Sequence, residues 1–456
     1  MNKTLLLSAF VALCTAQGAY AQLTTHDFKD ATFTDDLYGE AISAGGQFNH
    51  VSANGQYAVG YDDQFIVAYQ GGAYLWKRTA PDKLEFINTS ANRISACDVT
   101  NDGTIVGSFE EREDAETESE CYPGWRTTDG LWHQLPLPDN YSLKAAKDQM
   151  FMEEGRAVTP DGKYIAGNIH LVVDTKDFQG TTLEVLRLTP VLWEKQGDDY
   201  ILKQLYTGLG KAGVCRVFKD GKATVSTDSI NYGTFLVWDI SNDGQTIVGM
   251  NQASNGVQTP AYIRNGVLTL YVNPDTYEDF AYNTGGICNS IDANGNIYGY
   301  YADDKDQRKY FYITPDDKIV YLDNLTSCAA KDGTQFATTS ILPYVLDCSE
   351  DGQVVAGAGI GVTDYGQFAY PMIASNDDAS AIDRTQAAAG VSVDLHADGT
   401  LYVNGLYTKA WLYNAAGVLN ATAVQGQTLS VKTLPAGTYI VKVETKDGVK
   451  TFKVAK

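Results

Sequence analysis

Ile240-Ser-Asn-Asp243-Gly244-Gln-Thr-Ile-Val-Gly249 decides the fold of this chain. A short apolar strand runs into an Asp-Gly turn, and a second strand returns to end in glycine. A two-residue hairpin of the primed type needs positive φ at both central positions, which Asn or Asp and Gly tolerate. The same text recurs at Val51–Gly60, Val99–Gly107, Val158–Gly167, Ile291–Gly299 and Cys348–Gly357, with turn glycines 55, 103, 162, 244, 295 and 352. An internal repeat fixes architecture more firmly than a local motif does. The glycine closing each second strand occupies one column, and that column predicts a close backbone approach between neighbouring units.

Each copy is followed by a variable stretch and an aromatic-rich third strand, as in Tyr74-Leu-Trp76, Pro190-Val-Leu-Trp193 and Tyr310-Phe-Tyr-Ile313. A polar turn and a fourth strand follow, at Leu84–Ile87, Leu131–Leu135, Tyr200–Leu205, Val267–Leu270 and Ile319–Leu322. Four strands per unit of about 50 residues describe a propeller blade. The expectation is an all-β chain with a six-bladed β-propeller over 22–374. A seventh blade would have to hide in 206–235, where Asp220-Gly221 stands alone, so an insertion is the preferred reading there. The sixth unit lacks a fourth strand, and residues 23–48 are expected to supply it and close the ring. Closure removes exposed edges.

The pattern resembles the HAF-type extracellular repeat and the TolB-like propeller repeat over residues 50–373. That resemblance implies a fold and no activity. Residues 375–390 are small and polar, as a linker would be. From Val391 the text alternates as short strands with turns at Asp398-Gly399, Asn404-Gly405 and Asp447-Gly448, which predicts a small β-sandwich over 391–456. The run Leu434-Pro435-Ala-Gly437-Thr-Tyr439, then Gly448 and Lys453, looks like the C-terminal sorting domain of the type IX secretion system. It implies export, passage through the outer membrane, and release or surface attachment with the secretion machinery as partner. The other reading is an ordinary partner-binding sandwich.

Residues 1–21 read as a secretory signal: Lys3, an apolar stretch from Leu5 to Leu13, and Ala19-Tyr-Ala21 as the cleavage site. No later run is long enough for a membrane helix, so an extracellular or cell-surface location is expected. The formal charge of −22 argues against nucleic acid and anionic membranes as partners. Six cysteines remain after the signal (97, 121, 215, 288, 328 and 348), and either disulfides or buried thiols satisfy that count.

Chemistry is sparse. Histidines 26, 50, 133, 170 and 396 show no ligand spacing and read as structural. Gly208-Leu-Gly210-Lys-Ala-Gly213 lacks the βαβ context of a dinucleotide loop. No cofactor is expected beyond structural calcium at acidic clusters: Asp62-Asp63, the run from Glu110 to Glu120, and Asp303, Asp304 and Asp306. Solvated loop charge is the plainer reading of those clusters. The connections after second and fourth strands hold nearly all the length variation, including 108–121, 136–156, 168–188, 206–235 and 323–343. Insertions on one face build a binding surface. Its candidate residues are Tyr61, Asp62, Asp63, Tyr141, Tyr232, Tyr300, Tyr301, Asp303 and Asp304, with Tyr69 and Phe151 beside them. The favoured function is non-catalytic binding of a glycan or surface protein. The alternatives are a glycoside hydrolase or lyase using carboxylates at the channel mouth, and a structural envelope component.

Overall fold

The computed structural model describes residues 23–455 except 35–40, 44, 62–72, 88–93, 112–119, 144–153, 220–221, 228–232, 254–257, 272–285, 303–307, 323–343, 351–352, 364–365, 376–390, 396–398, 406, 415–417, 426, 436–437 and 446–447. The signal segment, Cys328 and His396 therefore lie outside the described residues. Every named element is a β-strand. The repeats form six sheets whose repeat strands pair antiparallel in chain order; the fourth carries an extra hairpin joined in parallel, and the sixth takes its outermost strand from the N-terminus. The first holds Gln47–Val51, Tyr57–Tyr61, Ala73–Lys77 and Leu84–Phe86, and the second Ile94–Val99, Ile105–Glu111, Glu120–Arg126 and Trp132–Gln134. The third holds Glu154–Val158, Tyr164–Phe178, Thr181–Gln196 and Asp199–Leu205, the fourth Thr234–Ile240, Thr246–Gln252, Gln258–Arg264 and Val267–Tyr271, and the fifth Gly286–Ile291, Ile297–Ala302, Arg308–Ile313 and Ile319–Leu322. Up-and-down order with one edge strand first in sequence is the topology of a propeller blade.

The Asx-Gly turns are tight but not of the primed two-residue type: Asn54, Asp102, Asp161, Asp243 and Asn294 lack positive φ. The bond from the Gly244 amide to the Ser241 carbonyl closes a turn over Ser241–Gly244 with glycine as its last residue. Glycines 55, 103, 162, 244 and 295 have φ between +62° and +92°. Asp243 Oδ1 accepts hydrogen bonds from Ser241 Oγ at 2.6 Å and from the Gln245 amide at 3.0 Å, which closes the turn from inside.

The glycine column has a different cause from the one the sequence suggested. A Cβ on Gly60, Gly107, Gly167, Gly249 or Gly299 would collide with the backbone carbonyl of Gln47, Ser95, Glu154, Leu236 or Ile287 respectively. Each carbonyl belongs to the first strand of the same sheet, so the close approach lies within a blade. All six first strands carry a β-bulge. The extra residues are Asn49, Cys97, Arg156, Trp238, Asn289 and Leu346, and in the five glycines above the colliding carbonyl stands two residues before the extra residue. The bulge turns that carbonyl toward its partner strand, and only glycine leaves room.

The residue after each bulge alternates: His50, Asp98, Ala157, Asp239, Ser290, Asp347. The three aspartates are buried and reach into the next sheet. Asp98 Oδ2 accepts from the Val158 amide at 2.8 Å, Asp239 Oδ2 from Ile291 at 2.9 Å, and Asp347 Oδ2 from Val51 at 2.8 Å. The junctions between are held otherwise. Asn54 and Asn101 pair between the first and second sheets. Asn168 bonds the Phe235 carbonyl and the Val237 amide between the third and fourth. An apolar cluster fills each of these five junctions. First strands touch one another across these five junctions, so they form the inner rim of the array.

The sixth sheet holds Tyr344–Cys348, Val354–Thr363 and Gly366–Ser375. Its fourth strand is Thr24–Asp27, with Thr24 opposite Ser375. The expected N-terminal contribution is thus in place. Part of the 206–235 segment is a hairpin, Arg216–Lys219 with Lys222–Val225, added to the outer edge of the fourth sheet. Gly208, Gly210 and Gly213 sit in turns with positive φ. Residues 168–188, expected as a loop, instead extend the third sheet's middle strands, Tyr164–Phe178 and Thr181–Gln196. They form one long hairpin whose tip, Gln179-Gly180, has φ of 50° and 83°. Beyond Val172 this arm is solvent-exposed.

The C-terminal segment forms two further sheets. One joins Val391–Leu395, Thr400–Gly405 and Leu429–Ser430; the other joins Leu419–Val424, Lys409–Asn414, Thr438–Thr445 and Gly448–Ala455. They share one apolar core that includes Val393, Leu401, Leu412, Val441 and Phe452. Leu434 packs on that core, and Tyr439 Oη donates to the Pro435 carbonyl at 2.5 Å. Gly448 and Lys453 lie in the last strand, and Gly437 lies outside the described residues.

Candidate functional site

The bulges bring chemistry to one end of the inner rim. First strands begin, and second strands finish, at the end from which the long connections leave. There Tyr61 of the first sheet, Ser95 and Cys97 of the second, Glu154 and Arg156 of the third, and Trp238 of the fourth converge. Arg156 Nη1 donates to Glu154 Oε1 at 2.8 Å and to Tyr61 Oη at 3.1 Å. Glu154 Oε2 accepts from Cys97 Sγ at 3.1 Å and from Ser95 Oγ at 3.2 Å. The Arg156 guanidinium lies over the Trp238 ring, 4.4 Å from its centroid, a favourable cation–π contact.

The ion pair is nearly desolvated, with 12% of each side chain exposed. Guanidinium and carboxylate neutralise each other, and both carboxylate oxygens are occupied. Every hydrogen bond of Arg156 runs through Nη1, while Nε is buried with no partner among the described residues. Burial, reinforced by the Glu154 charge, pushes the Cys97 thiol and the Tyr61 phenol well above their ordinary values. Both stay protonated at neutral pH. Thiolate chemistry needs the opposite shift.

Beside this cluster Trp238, Leu188 and Tyr300 pack on Leu236, Met250 and Ile287. Leu188 also lines a groove of about 400 Å³ with Leu186, Arg187, Gly233, Thr234, Gln252 and Ala253. The groove lies between the base of the third sheet's hairpin arm and the fourth sheet.

Of the expected residues, the structure brings Tyr61 into the cluster and Tyr300 to its border. Tyr141 and Tyr301 are buried in the core, so neither offers the exposed ring foreseen for it. Tyr141 bridges to Leu171 of the arm, and Tyr301 packs between Tyr271 and Phe311. Asp62, Asp63, Tyr69, Phe151, Tyr232, Asp303 and Asp304 lie outside the described residues, as does most of the Glu110–Glu120 run. Among the described residues no three His, Cys, Asp or Glu converge on a metal position. Among the described residues Cys97, Cys121, Cys215, Cys288 and Cys348 form no disulfide. Sequence reasoning did not single out Glu154, Arg156, Cys97 or Trp238 for the site. Their one signal was position, three or five residues ahead of the Thr or Ser that opens each turn.

No family model matches the chain, and no curated protein matches its sequence. TolB proteins are among its structural neighbours. TolB from Acinetobacter baumannii aligns at 11% identity and a TM-score of 0.35, over 71% of this chain and 64% of its own, so the chain spans less than two thirds of that relative. A putative TolB from Agrobacterium tumefaciens aligns at 12% identity, with a TM-score of 0.30, over 82% and 94%. The periplasmic gluconolactonase of Pseudomonas aeruginosa aligns at 12% identity and 0.32, over 89% and 99%. At these values blade topology rests on the sheets themselves, and the neighbours carry no argument about activity.

Proposed function

We propose that this protein is an exported, non-catalytic binding module. In this reading the six sheets close into a six-bladed ring. The long-connection face takes a glycan at the rim cluster of Tyr61, Glu154, Arg156 and Trp238. The two C-terminal sheets form a β-sandwich that serves type IX sorting, and residues 1–21 are the export signal. One observation carries the binding role: four sheets contribute side chains to one aromatic, hydrogen-bonding cluster at the rim. An aromatic face beside a fixed Arg–Glu pair suits sugar rings and their hydroxyls. The count of six is supported by the alternating aspartates, since the sixth-to-first junction has the same form as the second-to-third and fourth-to-fifth. A seventh blade would break that alternation.

A hydrolase or lyase is the second reading, favoured by the convergence of Glu154, Cys97, Tyr61 and Arg156. Against it stand the protonated thiol and phenol and the fully occupied carboxylate, which leave no free general base among the described residues of the cluster. The test is a glycan and polysaccharide array probed with the mature chain, with reducing-end release measured on every hit. Binding without release, weakened tenfold or more by Trp238→Ala, supports the module. Release overturns it. For export, deletion of Ala389–Lys456 is expected to leave the protein inside the cell envelope, and arrival of the truncated chain at the surface would refute the sorting role.

A further inference from the structure

The long hairpin arm has one edge covered and, among the described residues, one edge open. Its ladder runs from Phe178↔Thr181 at the tip to Asn168↔Pro190 at the base. In a two-residue hairpin the pair flanking the turn exchanges hydrogen bonds, and pairs then alternate between bonded and non-bonded. Thr182, Glu184, Leu186 and Leu188 are therefore non-bonded positions whose amides and carbonyls point away from the hairpin. Two contacts fix that parity. The Leu188 carbonyl accepts from Thr234 Oγ1 at 2.8 Å, and the Pro190 carbonyl accepts from the Tyr206 amide at 3.0 Å. The opposite edge is occupied: Ser142 N donates to the His170 carbonyl and Val172 N to the Asn140 carbonyl. Ser142 Oγ also holds Glu184 Oε2 at 2.7 Å.

On the open side, Thr182, Glu184 and Leu186 have no backbone partner among the described residues. This edge borders the groove lined by Leu186, Arg187, Leu188, Thr234 and Gln252. Arg187 is exposed there, and no hydrogen bond or ion pair engages its guanidinium among the described residues. Natural proteins cover or interrupt such edges, because an open row of N–H and C=O groups templates another strand.

We propose that the Thr182–Leu188 edge accepts an extended peptide segment of a partner protein by β-strand addition, with an acidic side chain of that peptide set against Arg187. Three outward residues supply main-chain bonds on alternate positions. Leu186, Leu188 and Ala253 offer apolar contact, and Arg187 selects a carboxylate. This site is separate from the rim cluster and stands whether or not a glycan binds there.

The test exploits parity. Proline at an outward position deletes an edge amide and leaves the hairpin's own bonds intact. A random heptapeptide phage library is selected on the full chain and counter-selected on Leu186→Pro. The enriched peptides are expected to alternate β-branched and acidic residues. They should bind Leu186→Pro at least tenfold more weakly and Leu186→Ala within about threefold, with Glu184→Pro as a second edge variant and circular dichroism confirming the fold of each. Synthetic versions N-methylated one amide at a time should lose binding at alternate positions only, a reading that needs no variant to fold. Arg187→Glu should shift the selected peptides from acidic to basic. The proposal is overturned if no peptide survives counter-selection, if binding ignores the proline variants, or if N-methylation shows no alternation. It is equally overturned if the full chain forms a dimer that Leu186→Pro dissolves, since the edge would then belong to a second copy.

Discussion

Removing the carboxylate of Asp239 should loosen one junction of the array in a way that can be located to a single amide. Asp239 is buried and accepts two backbone bonds, from its own neighbour Ile240 at 2.7 Å and from Ile291 of the next sheet at 2.9 Å. A hydrogen bond to a charged group contributes about 1.5–3 kcal/mol, and a buried donor left unsatisfied costs about 1–3 kcal/mol. Asp239→Ala strands both donors, and relief of the carboxylate's own desolvation offsets part of that cost. The net loss is about 3 kcal/mol, which at roughly 2–4 °C per kcal/mol lowers the melting temperature by about 6 °C or more. Asp239→Asn keeps one acceptor but sets an amide NH₂ against a backbone N–H, so about 2 kcal/mol is lost. Hydrogen exchange supplies the local reading. The Ile291 amide should exchange about 100-fold faster in Asp239→Ala, because each 1.4 kcal/mol is a factor of ten. Ser290 occupies the same column in the next sheet, and its hydroxyl is buried without a partner among the described residues. Ser290→Ala is therefore expected to be neutral or stabilising. If Asp239→Ala melts within a degree of the wild type and the Ile291 amide keeps its protection, the carboxylate is not what joins these sheets.

Gly249→Ala drives a Cβ into the Leu236 carbonyl and should cost roughly 2–3 kcal/mol by overpacking, read as a lowered denaturation midpoint. Alanine at Gly180, where nothing lies within 4 Å of the added Cβ, should cost less, and its remaining penalty comes from positive φ. Burial pushes Tyr206 up to about 12 from its ordinary 10.0 and raises Tyr61, Tyr200, Tyr262 and Tyr271 as well. In the unfolded chain these phenols ionise near 10, so the stabilisation they report is intact below that pH and fades as pH climbs through the folded values. The urea midpoint should therefore fall steadily above pH 10, with phenolate absorbance appearing as the chain unfolds; a flat midpoint would contradict the burial. Thiol titration of the native protein at about pH 8 should modify half-buried Cys121 first and spare Cys97, Cys215, Cys288 and Cys348 until denaturant is added; prompt labelling of Cys97 would contradict its place beneath Arg156.

The hairpins could be read from the sequence because Asx-Gly is a backbone requirement as much as a composition. Positive φ at Gly55, Gly103, Gly162, Gly244 and Gly295 is the half of that requirement the structure keeps, while the Asx residue caps the turn with its side chain, as Asp243 does. The final glycine column was visible as well, but its cause was not. A bulge adds one residue to a pairing that the sequence does not display, and no side chain announces it. The same gap hid the rim cluster, since Cys97, Arg156 and Trp238 are the extra residues of three bulges. Out of register they look like ordinary members of a strand. The arm escaped notice because its tip is Gln179-Gly180, outside the usual hairpin dipeptides, and because its exposed strands mix Thr, Asp, Lys and Glu as a loop would. Tyr141 and Tyr301 show the converse: a tyrosine beside a variable segment looks exposed in one dimension, yet both rings are drawn under neighbouring strands.

Thr24–Asp27 bonds to Gly366–Ser375, so the two ends of the repeat array are stitched by a strand contributed from the far end of the chain. The sixth sheet stays one strand short until residue 375 has been made, however long the earlier units have waited. A chain that lacks its last unit leaves Thr24–Asp27 without the strand it bonds to. Assembly thus has a latch, and the latch is the last part to engage.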